Sequence, residues 1–179
     1  MNIGFDLDKI FIDYPPFVPD SLVNRLYRRE TSNKLEYRMP GKAERTLRVF
    51  SHHPLFRPVI KQNISELKKI KKNNCKIYLI SSRFGFLKKR TESLINKNGF
   101  STIFDGLYFN YDNEQPHLFK NRIIKKLKIN TYIHDDINTI TYLAAQNKNI
   151  KFYWLNSQKL GKLDVNINGI TSISQISLK

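Results

Sequence analysis

Cysteine, acidic residues and long apolar runs are scarce in this sequence. The one cysteine, Cys75, cannot form a disulfide within the chain. No apolar run approaches the roughly 20 residues that a membrane-spanning helix needs, and the N-terminus lacks the basic and apolar regions of a secretory signal. We therefore expect a soluble, cytoplasmic protein without a membrane partner.

The shortage of acidic residues leaves a large positive charge. The 179 residues include 31 Lys and Arg but 15 Asp and Glu, a formal net charge of +16. Such a charge concentrates phosphates, nucleotides and nucleic acid around a protein. Scattered lysines also arise from compositional drift, in which case they are simply solvated. The arginines are more concentrated and lie mostly in one early segment, at Arg25, Arg28, Arg29, Arg38, Arg45, Arg48 and Arg57.

Short apolar runs alternate with longer helical patterns along the chain. This alternation is typical of parallel strands joined by crossover helices. It predicts an α/β fold, a three-layer Rossmann-like parallel sheet with helices on both faces. Gly99 is predicted to end the helix before the third strand. The predicted strands are Asn2–Leu7, Cys75–Ser81, Gly106–Asn110, Thr131–Asp136 and Lys151–Asn156, and residues 169–178 add an edge strand or a packing helix.

One long segment interrupts the alternation. Residues 14–61, called the insertion below, separate the first strand from the next core helix by more than a usual crossover. We predict that they form a small cap and that residues 1–13 and 62–179 form the core. An insertion at this position lies above the carboxyl end of the first strand.

Within the insertion, the sequence predicts a helix followed by a hairpin and a loop. Asp20 or Ser21 could begin a helix that runs from Leu22 to Glu30. Pro40 and Gly41 suggest the turn of a hairpin, and the following residues 51–58 are expected to form a loop.

Two aspartates follow the first strand, at Asp6 and Asp8. Residues two apart in a strand face the same side, roughly 6 to 7 Å from each other. Two carboxylates at that separation repel each other, and a bound divalent cation relieves the repulsion. Oxygen ligands suit Mg²⁺. The alternative is that both aspartates cap a turn or a helix.

Polar side chains also follow the other strands. Ser81 and Ser82 end the second strand, at the start of a helix, where backbone N–H groups bind phosphate. Asp135 and Asp136 end the fourth strand at the same rim of the sheet, and Lys120 lies between them in sequence. Each also has a structural interpretation: Ser81 and Asp136 as helix caps, and Lys120 as one solvated lysine among many.

The order of these residues resembles a known superfamily. The segments "FDLDKI", "IYLISSR", "FK" and "YIHDD" are similar to the four motifs of the haloacid dehalogenase superfamily of aspartate-nucleophile hydrolases. The insertion sits where that family carries its first type of cap. The later segment is most similar to the branch of 5′(3′)-deoxyribonucleotidases and related nucleotidases. Two positions depart from the pattern: Lys9 replaces a common glycine, and His134 a common glycine or aspartate.

The resemblance implies a Mg²⁺-dependent phosphatase that acts on a nucleotide or another small phosphorylated metabolite. Asp6 would attack phosphorus to form an aspartyl-phosphate, and Asp8 would protonate the leaving alcohol and later take a proton from water. Mg²⁺ would be held by Asp6, the Asp8 backbone carbonyl and Asp135, and supported by Asp136. The phosphoryl oxygens would be held by Ser81, Ser82 and Lys120.

The insertion would select the substrate, because a cap supplies contacts to the leaving group and excludes water. Arginine binds phosphate bidentately and aromatic rings stack on bases, so Arg25, Arg28, Arg38 and Arg48 are the candidates for substrate binding. The insertion's aromatic residues could instead form a small core of its own.

Two other functional classes stay open at this stage. The charge of +16 also suits a protein that binds nucleic acid or processes its ends. A catalytically silent member of the same fold that serves as an interaction module is the third hypothesis.

Overall fold

The computed structural model describes residues 1–15, 28–31, 34–156 and 161–177. The strands are β1 (Asn2–Phe5), β2 (Arg28–Thr31), β3 (Lys34–Tyr37), β4 (Lys76–Ser81), β5 (Gly106–Phe109), β6 (Thr131–His134), β7 (Lys151–Leu155), β8 (Gly161–Asp164) and β9 (Ile167–Ile170). The helices are α1 (Lys42–Ser51), α2 (Lys61–Lys72), α3 (Lys88–Lys97), α4 (Phe100–Ile103), α5 (Pro116–Lys126) and α6 (Ile137–Gln146). Short 3₁₀ turns span Gly85–Leu87 and Ile173–Gln175.

Seven strands form one sheet in the order β5-β4-β1-β6-β7-β9-β8. β1 pairs in parallel with β4 on one side and β6 on the other. The parallel pairing continues outward to β5 and to β7 and β9, and β8 runs antiparallel to β9 at the edge. The predicted parallel α/β fold is confirmed, and all five predicted strands are present.

Two apolar clusters divide the buried side chains. One contains Phe5 of β1 together with Leu67 of α2 and residues of α3. The other contains Tyr132 of β6 together with Ile123 of α5 and Leu143 of α6. The alternation of side chains along each strand gives the sheet two apolar faces, and the helices cover both.

Local sequence signals set several helix ends. Gly99 has a φ of +63°, and its N–H donates to Asn96 O at 3.2 Å, so the predicted end of α3 is confirmed. Pro116 opens α5, where its missing N–H has no helical partner to lose. None of the helices among the described residues is long and apolar enough to cross a bilayer.

The insertion differs from its predicted secondary structure. Residues 22–27 of the predicted helix lie outside the described residues, and its last part, Arg28–Glu30, belongs to β2. The predicted hairpin turn at Pro40 and Gly41 is wrong, because β2 pairs with β3 instead. After Gly41 the run "KAERTLRVFS" forms α1, since its Lys, Ala, Glu, Arg and Leu residues favour a helix.

The C-terminal region contains one strand more than predicted. β9 lies inside the sheet, between β7 and β8, and is followed by the 3₁₀ turn at Ile173–Gln175. The unpredicted edge strand, β8, has the sequence "GKLD". Such a short, polar run lacks the apolar signal by which strands are identified, and a short charged strand is typical of a sheet edge.

Gly4 lies where β1 passes close to its neighbours. A Cβ added at Gly4 would lie 2.7 Å from Cδ2 of Tyr132 and 3.2 Å from Cδ1 of Ile80. Both side chains are fully buried, so neither can move aside easily. Gly4 therefore permits the close packing of β1 against the cluster around Tyr132.

We predict that Gly4→Ala lowers the free energy of unfolding by about 1–3 kcal/mol, the usual cost of overpacking a core. Equilibrium unfolding in urea measures the change. Gly41→Ser is the control, because a Cβ at Gly41 meets no atom within 4 Å and serine is a favourable residue before a helix. Equal stability of Gly4→Ala and the unsubstituted protein would contradict the prediction.

Candidate active site

The predicted site residues of the core lie at the carboxyl ends of the neighbouring strands β4, β1 and β6 or, for Lys120, in helix α5 beside them. The carboxyl ends of parallel strands form one rim, which is the usual place for a ligand crevice in such sheets. A cavity lies at this rim. Its core-side lining includes Asp6, Asp8, Ser82, Lys120, Asp135 and Asp136, and its lining from the insertion includes Tyr14, Tyr37, Arg38, Arg48, His52 and Arg57.

A tight turn after β1 brings Asp6 and Asp8 to the same cavity. Within it, Lys9 N donates to Ile12 O at 2.7 Å. Lys9 has a φ of +61°, a left-handed conformation that costs roughly 1–2 kcal/mol in a residue with a Cβ. This explains why glycine is common at the position in the superfamily that the sequence resembles. The Lys9 ammonium lies 2.8 Å from Asp13, and this ion pair helps to hold the turn.

Asp6 lies in a buried cluster with Lys120, His134 and Asp135. Lys120 Nζ is 3.2 Å from Asp6 Oδ1 and 2.7 Å from His134 Nε2. His134 Nδ1 is 3.3 Å from Asp6 Oδ2 and 2.8 Å from Asp135 Oδ1. Burial raises the pKa of Asp6, and the charges of Lys120 and His134 offset part of that rise. Lys120 is therefore not a solvated surface lysine, because its side chain is 1% exposed.

Three residues of this cluster fit a divalent cation. Asp6, His134 and Asp135 each offer a ligand atom, and these atoms lie within 4.8 Å of one another. Two carboxylates so close together favour a bound cation that cancels their repulsion. Trp154 Nε1 donates to the backbone oxygen of Asp135 at 2.7 Å, which fixes the chain at this ligand.

Asp136 makes a different set of contacts. Its side chain accepts from the backbone N–H of Asn138 at 3.2 Å and so caps α6. Its Oδ2 also accepts from Thr139 Oγ1 and from the hydroxyl of Tyr37, each at 2.7 Å. Asp136 is therefore a helix N-cap, as one interpretation of the sequence expected, and its side chain also lines the cavity.

Asp8 is held by two buried arginines. Arg83 donates from Nε to Oδ2 at 2.9 Å and from Nη2 to Oδ1 at 2.6 Å. Arg57 Nη2 donates to Oδ1 at 2.6 Å. The side chains of Arg57 and Arg83 are 2% and 3% exposed. Burial alone would raise the pKa of Asp8, but the two guanidinium groups outweigh it and hold that pKa well below its usual range.

His52 joins the insertion to this ion-pair network. Burial lowers the pKa of His52 well below its ordinary value, and the charges of Arg57 and Arg83 lower it further. The neutral ring has Nδ1 2.7 Å from Arg48 O and Nε2 3.2 Å from Arg57 Nη2. Since a carbonyl only accepts and a guanidinium only donates, Nδ1 carries the hydrogen and Nε2 accepts from Arg57.

The two serines after β4 differ in position. Ser82 lines the cavity, together with Arg83. Ser81 is buried in the strand, its backbone oxygen accepts from Asn110 N at 3.2 Å, and it is not among the residues that line the cavity. Ser82 is thus the better placed of the two for contact with a phosphoryl group.

The insertion's candidate arginines are only partly brought together. Arg38 and Arg48 line the cavity, and both are paired with Glu44, Arg48 at 2.5 Å. Arg28 lies in β2, and Arg25 lies outside the described residues.

Sequence reasoning missed the two arginines that bind Asp8. Arg83 directly follows the serines of "ISSR", and Arg57 belongs to "FRP" just before the core resumes. The position of Arg83 beside an expected site segment was the available signal, whereas Arg57 lies in a segment predicted only as a loop. Their pairing with Asp8 could not be read from the chain, because 49 residues separate Asp8 from Arg57 and 75 separate it from Arg83.

No protein-family model matches this sequence, and no curated protein matches it. Solved structures do match. A haloacid dehalogenase-like family hydrolase from Xanthomonas campestris has a TM-score of 0.62 and 12% identity, covering 97% of this chain and 91% of its own.

Two further similar structures carry bound ligands. D,D-heptose 1,7-bisphosphate phosphatase from B. bronchiseptica, complexed with magnesium and phosphate, has a TM-score of 0.56 and 9% identity. The match covers 97% of this chain and 93% of that protein. A haloacid dehalogenase family enzyme from Bacteroides thetaiotaomicron, an Asp-to-Ala mutant in complex with magnesium and inorganic phosphate, has a TM-score of 0.55 and 12% identity. The match covers 88% of this chain and 95% of that protein. At these identities the likeness concerns the fold, and this chain has the fold of haloacid dehalogenase superfamily hydrolases.

Proposed function

We propose that the protein is a Mg²⁺-dependent phosphatase that acts on a small phosphorylated compound through an aspartyl-phosphate intermediate. The observation that carries this proposal is the buried cluster of Asp6, Lys120, His134 and Asp135 at the rim of the sheet. It combines an acidic nucleophile, a fixed cation and a divalent-cation site in one cavity. Two proteins of similar fold hold magnesium and phosphate.

Asp6 is the proposed nucleophile. Its carboxylate opens onto the cavity, and Lys120 and His134 orient it from either side. Attack on phosphorus forms a covalent bond to Asp6 while the bond from phosphorus to the leaving oxygen breaks, and this divides a difficult hydrolysis into two easier steps. Lys120 also supplies positive charge for the phosphoryl oxygens in the transition state.

The second step hydrolyses the intermediate. Asp8, held as a carboxylate, takes a proton from the attacking water. The bond between phosphorus and Asp6 then breaks, and inorganic phosphate is released. Mg²⁺, held by Asp6 and Asp135, would screen the repulsion between the Asp6 carboxylate and the anionic phosphoryl group.

The insertion is the proposed determinant of substrate choice. Arg38, Arg48 and Tyr37 line the cavity from this segment. Tyr37 N donates to Gln115 Oε1 at 2.9 Å, and Gln115 Nε2 donates to Tyr37 O at 3.2 Å. These contacts fasten the insertion to the core beside the cavity. A leaving group placed there would meet positive charge.

We predict Mg²⁺-stimulated release of phosphate from a panel that includes acetyl phosphate, p-nitrophenyl phosphate, nucleotides and sugar phosphates. Asp6→Asn should lower kcat/KM by roughly 10³-fold or more, because nucleophile removal usually has at least this effect. Asp164→Asn, an exposed residue of the edge strand β8, is the matched control and should retain activity. No metal-stimulated turnover of any substrate, or equal turnover by Asp6→Asn, would contradict the proposal.

The two adjacent aspartates should differ in their effects on metal binding. Asp135→Asn should weaken Mg²⁺ binding roughly tenfold or more, as expected for a group at a metal site. Asp136→Asn should change Mg²⁺ affinity less than Asp135→Asn, and Asp136→Ala should lower the free energy of unfolding by about 1 kcal/mol, the usual value of a helix N-cap. Calorimetric titration with Mg²⁺ and urea unfolding measure the two effects. A larger loss of affinity in Asp136→Asn would reverse the assignment.

A further inference from the structure

A second concave surface, called the basic groove below, lies between α1 and the start of α3. Its lining is Val49, Gly85, Phe86, Lys88, Lys89 and Arg90. Arg45 of α1 lies beside it, with its guanidinium carbon 5.7 Å from the centroid of the Phe86 ring. Nε of Arg45 donates to Pro40 O at 2.9 Å, which holds this side chain in place. Four cationic side chains therefore gather at one groove.

The 3₁₀ turn Gly85–Leu87 separates the basic groove from the cavity of the candidate active site. Residues three apart lie on the same side of a 3₁₀ turn. Phe84 and Leu87 accordingly line the cavity, whereas Gly85 and Lys88 line the basic groove. The basic groove is thus a separate surface, and its cations do not belong to the phosphoryl-binding residues.

The cations of the basic groove are not compensated by acidic neighbours. Within the part of the chain that the structure describes, no carboxylate forms an ion pair with Lys88, Lys89 or Arg90. Glu92 follows Lys88 by one helical turn and is not paired with it among those residues. Lys88 Nζ lies instead 5.4 Å from the centroid of the Tyr111 ring. The basic groove therefore keeps its positive charge.

Helix stability does not account for these cations. The first turn of a helix carries the positive end of the helix dipole, where acidic side chains are favourable and cations are unfavourable. Lys88, Lys89 and Arg90 occupy the first turn of α3, which holds no acidic residue. A departure from a local rule without a structural gain is typical of a functional surface. A bound anion would offset the unfavourable charge.

A single strand of nucleic acid matches the basic groove in charge and in shape. Grooves with several cations follow the phosphate backbone of single strands. Phe86 lines the basic groove, and the unpaired bases of a single strand can contact an aromatic side chain, whereas the bases of a duplex are stacked inside it. The net charge of +16 attracts such a polyanion from a distance.

We infer that the basic groove binds the phosphate backbone of single-stranded nucleic acid. The strand is a macromolecular partner, distinct from the small phosphorylated compound that reacts in the cavity. The inference concerns binding and does not depend on the phosphatase function. Because one 3₁₀ turn separates the two surfaces, a strand bound in the basic groove would keep the candidate active site next to nucleic acid.

The first test measures fluorescence anisotropy of a labelled oligothymidylate of about 16 nucleotides, the upper end of usual site sizes. Its affinity should fall as NaCl rises, with a slope of log K against log salt of about −2 to −3, because each of three or four phosphate contacts contributes about −0.7. A duplex of the same length should bind less tightly. Absence of salt-dependent binding, or tighter binding of the duplex, would overturn the inference.

A double variant, Lys88→Gln with Lys89→Gln, tests the location of binding. One single-strand phosphate contact contributes a factor of about five at about 0.1 M salt, so the loss of two contacts should raise Kd about 25-fold. The matched control is Lys125→Gln with Lys126→Gln, which removes the same charge from two exposed lysines of α5. Because α5 packs on the other face of the sheet from α3, the control should raise Kd less than about threefold.

The outcomes of this comparison are distinct. A large rise of Kd in the basic-groove variant alone supports the inference. Equal weakening by the two double variants would show that net charge, and not the basic groove, binds the strand, and would overturn the inference. Binding of inorganic polyphosphate without binding of the oligonucleotide would also overturn it, because the groove would then serve a different polyanion. None of these results bears on the turnover of phosphorylated compounds, which tests the phosphatase function separately.

Discussion

Four carboxylates lie at the carboxyl ends of β1 and β6. The need to compensate their negative charge determines which side chains surround them. Asp6 and Asp135 share a buried cluster with Lys120 and His134, whereas Asp8 is bound by Arg57 and Arg83. Burying an unpaired carboxylate costs several kcal/mol, so each needs a cation, a helix end or a metal. The described residues supply cations at Asp6 and Asp8 and the α6 terminus at Asp136.

The need to pair these carboxylates also joins the insertion to the core. Arg57 reaches Asp8 from the insertion, and Tyr37 reaches Asp136. His52 links the end of α1 to Arg57. The contacts at Asp8 and Asp136 join the insertion to core residues that line the cavity, so the shape of the cavity depends on the position of the insertion.

The central fold could be predicted because its strands are apolar runs of parallel-sheet type, such as "CKIYLIS", and because Gly99 ends a helix by a local rule. β8 could not be predicted, because "GKLD" lacks an alternation of apolar and polar residues. The convergence of Asp6, Asp8, Lys120 and Asp135 on one cavity was predictable from their order along the chain. The arginine partners of Asp8 were not, because a contact between residues 75 apart depends on how the chain folds, and many arginines compete for such a role.

The bond between Arg57 and Asp8 also affects access to the cavity. An outward movement of the insertion would take Arg57 away from Asp8, which would then keep Arg83 as its partner, and the loss of one buried contact would cost free energy in the free protein. An incoming anion that binds Arg57 would replace Asp8 as its partner and repay much of that cost. Ligand entry and the charge balance at Asp8 are thus linked through one guanidinium group.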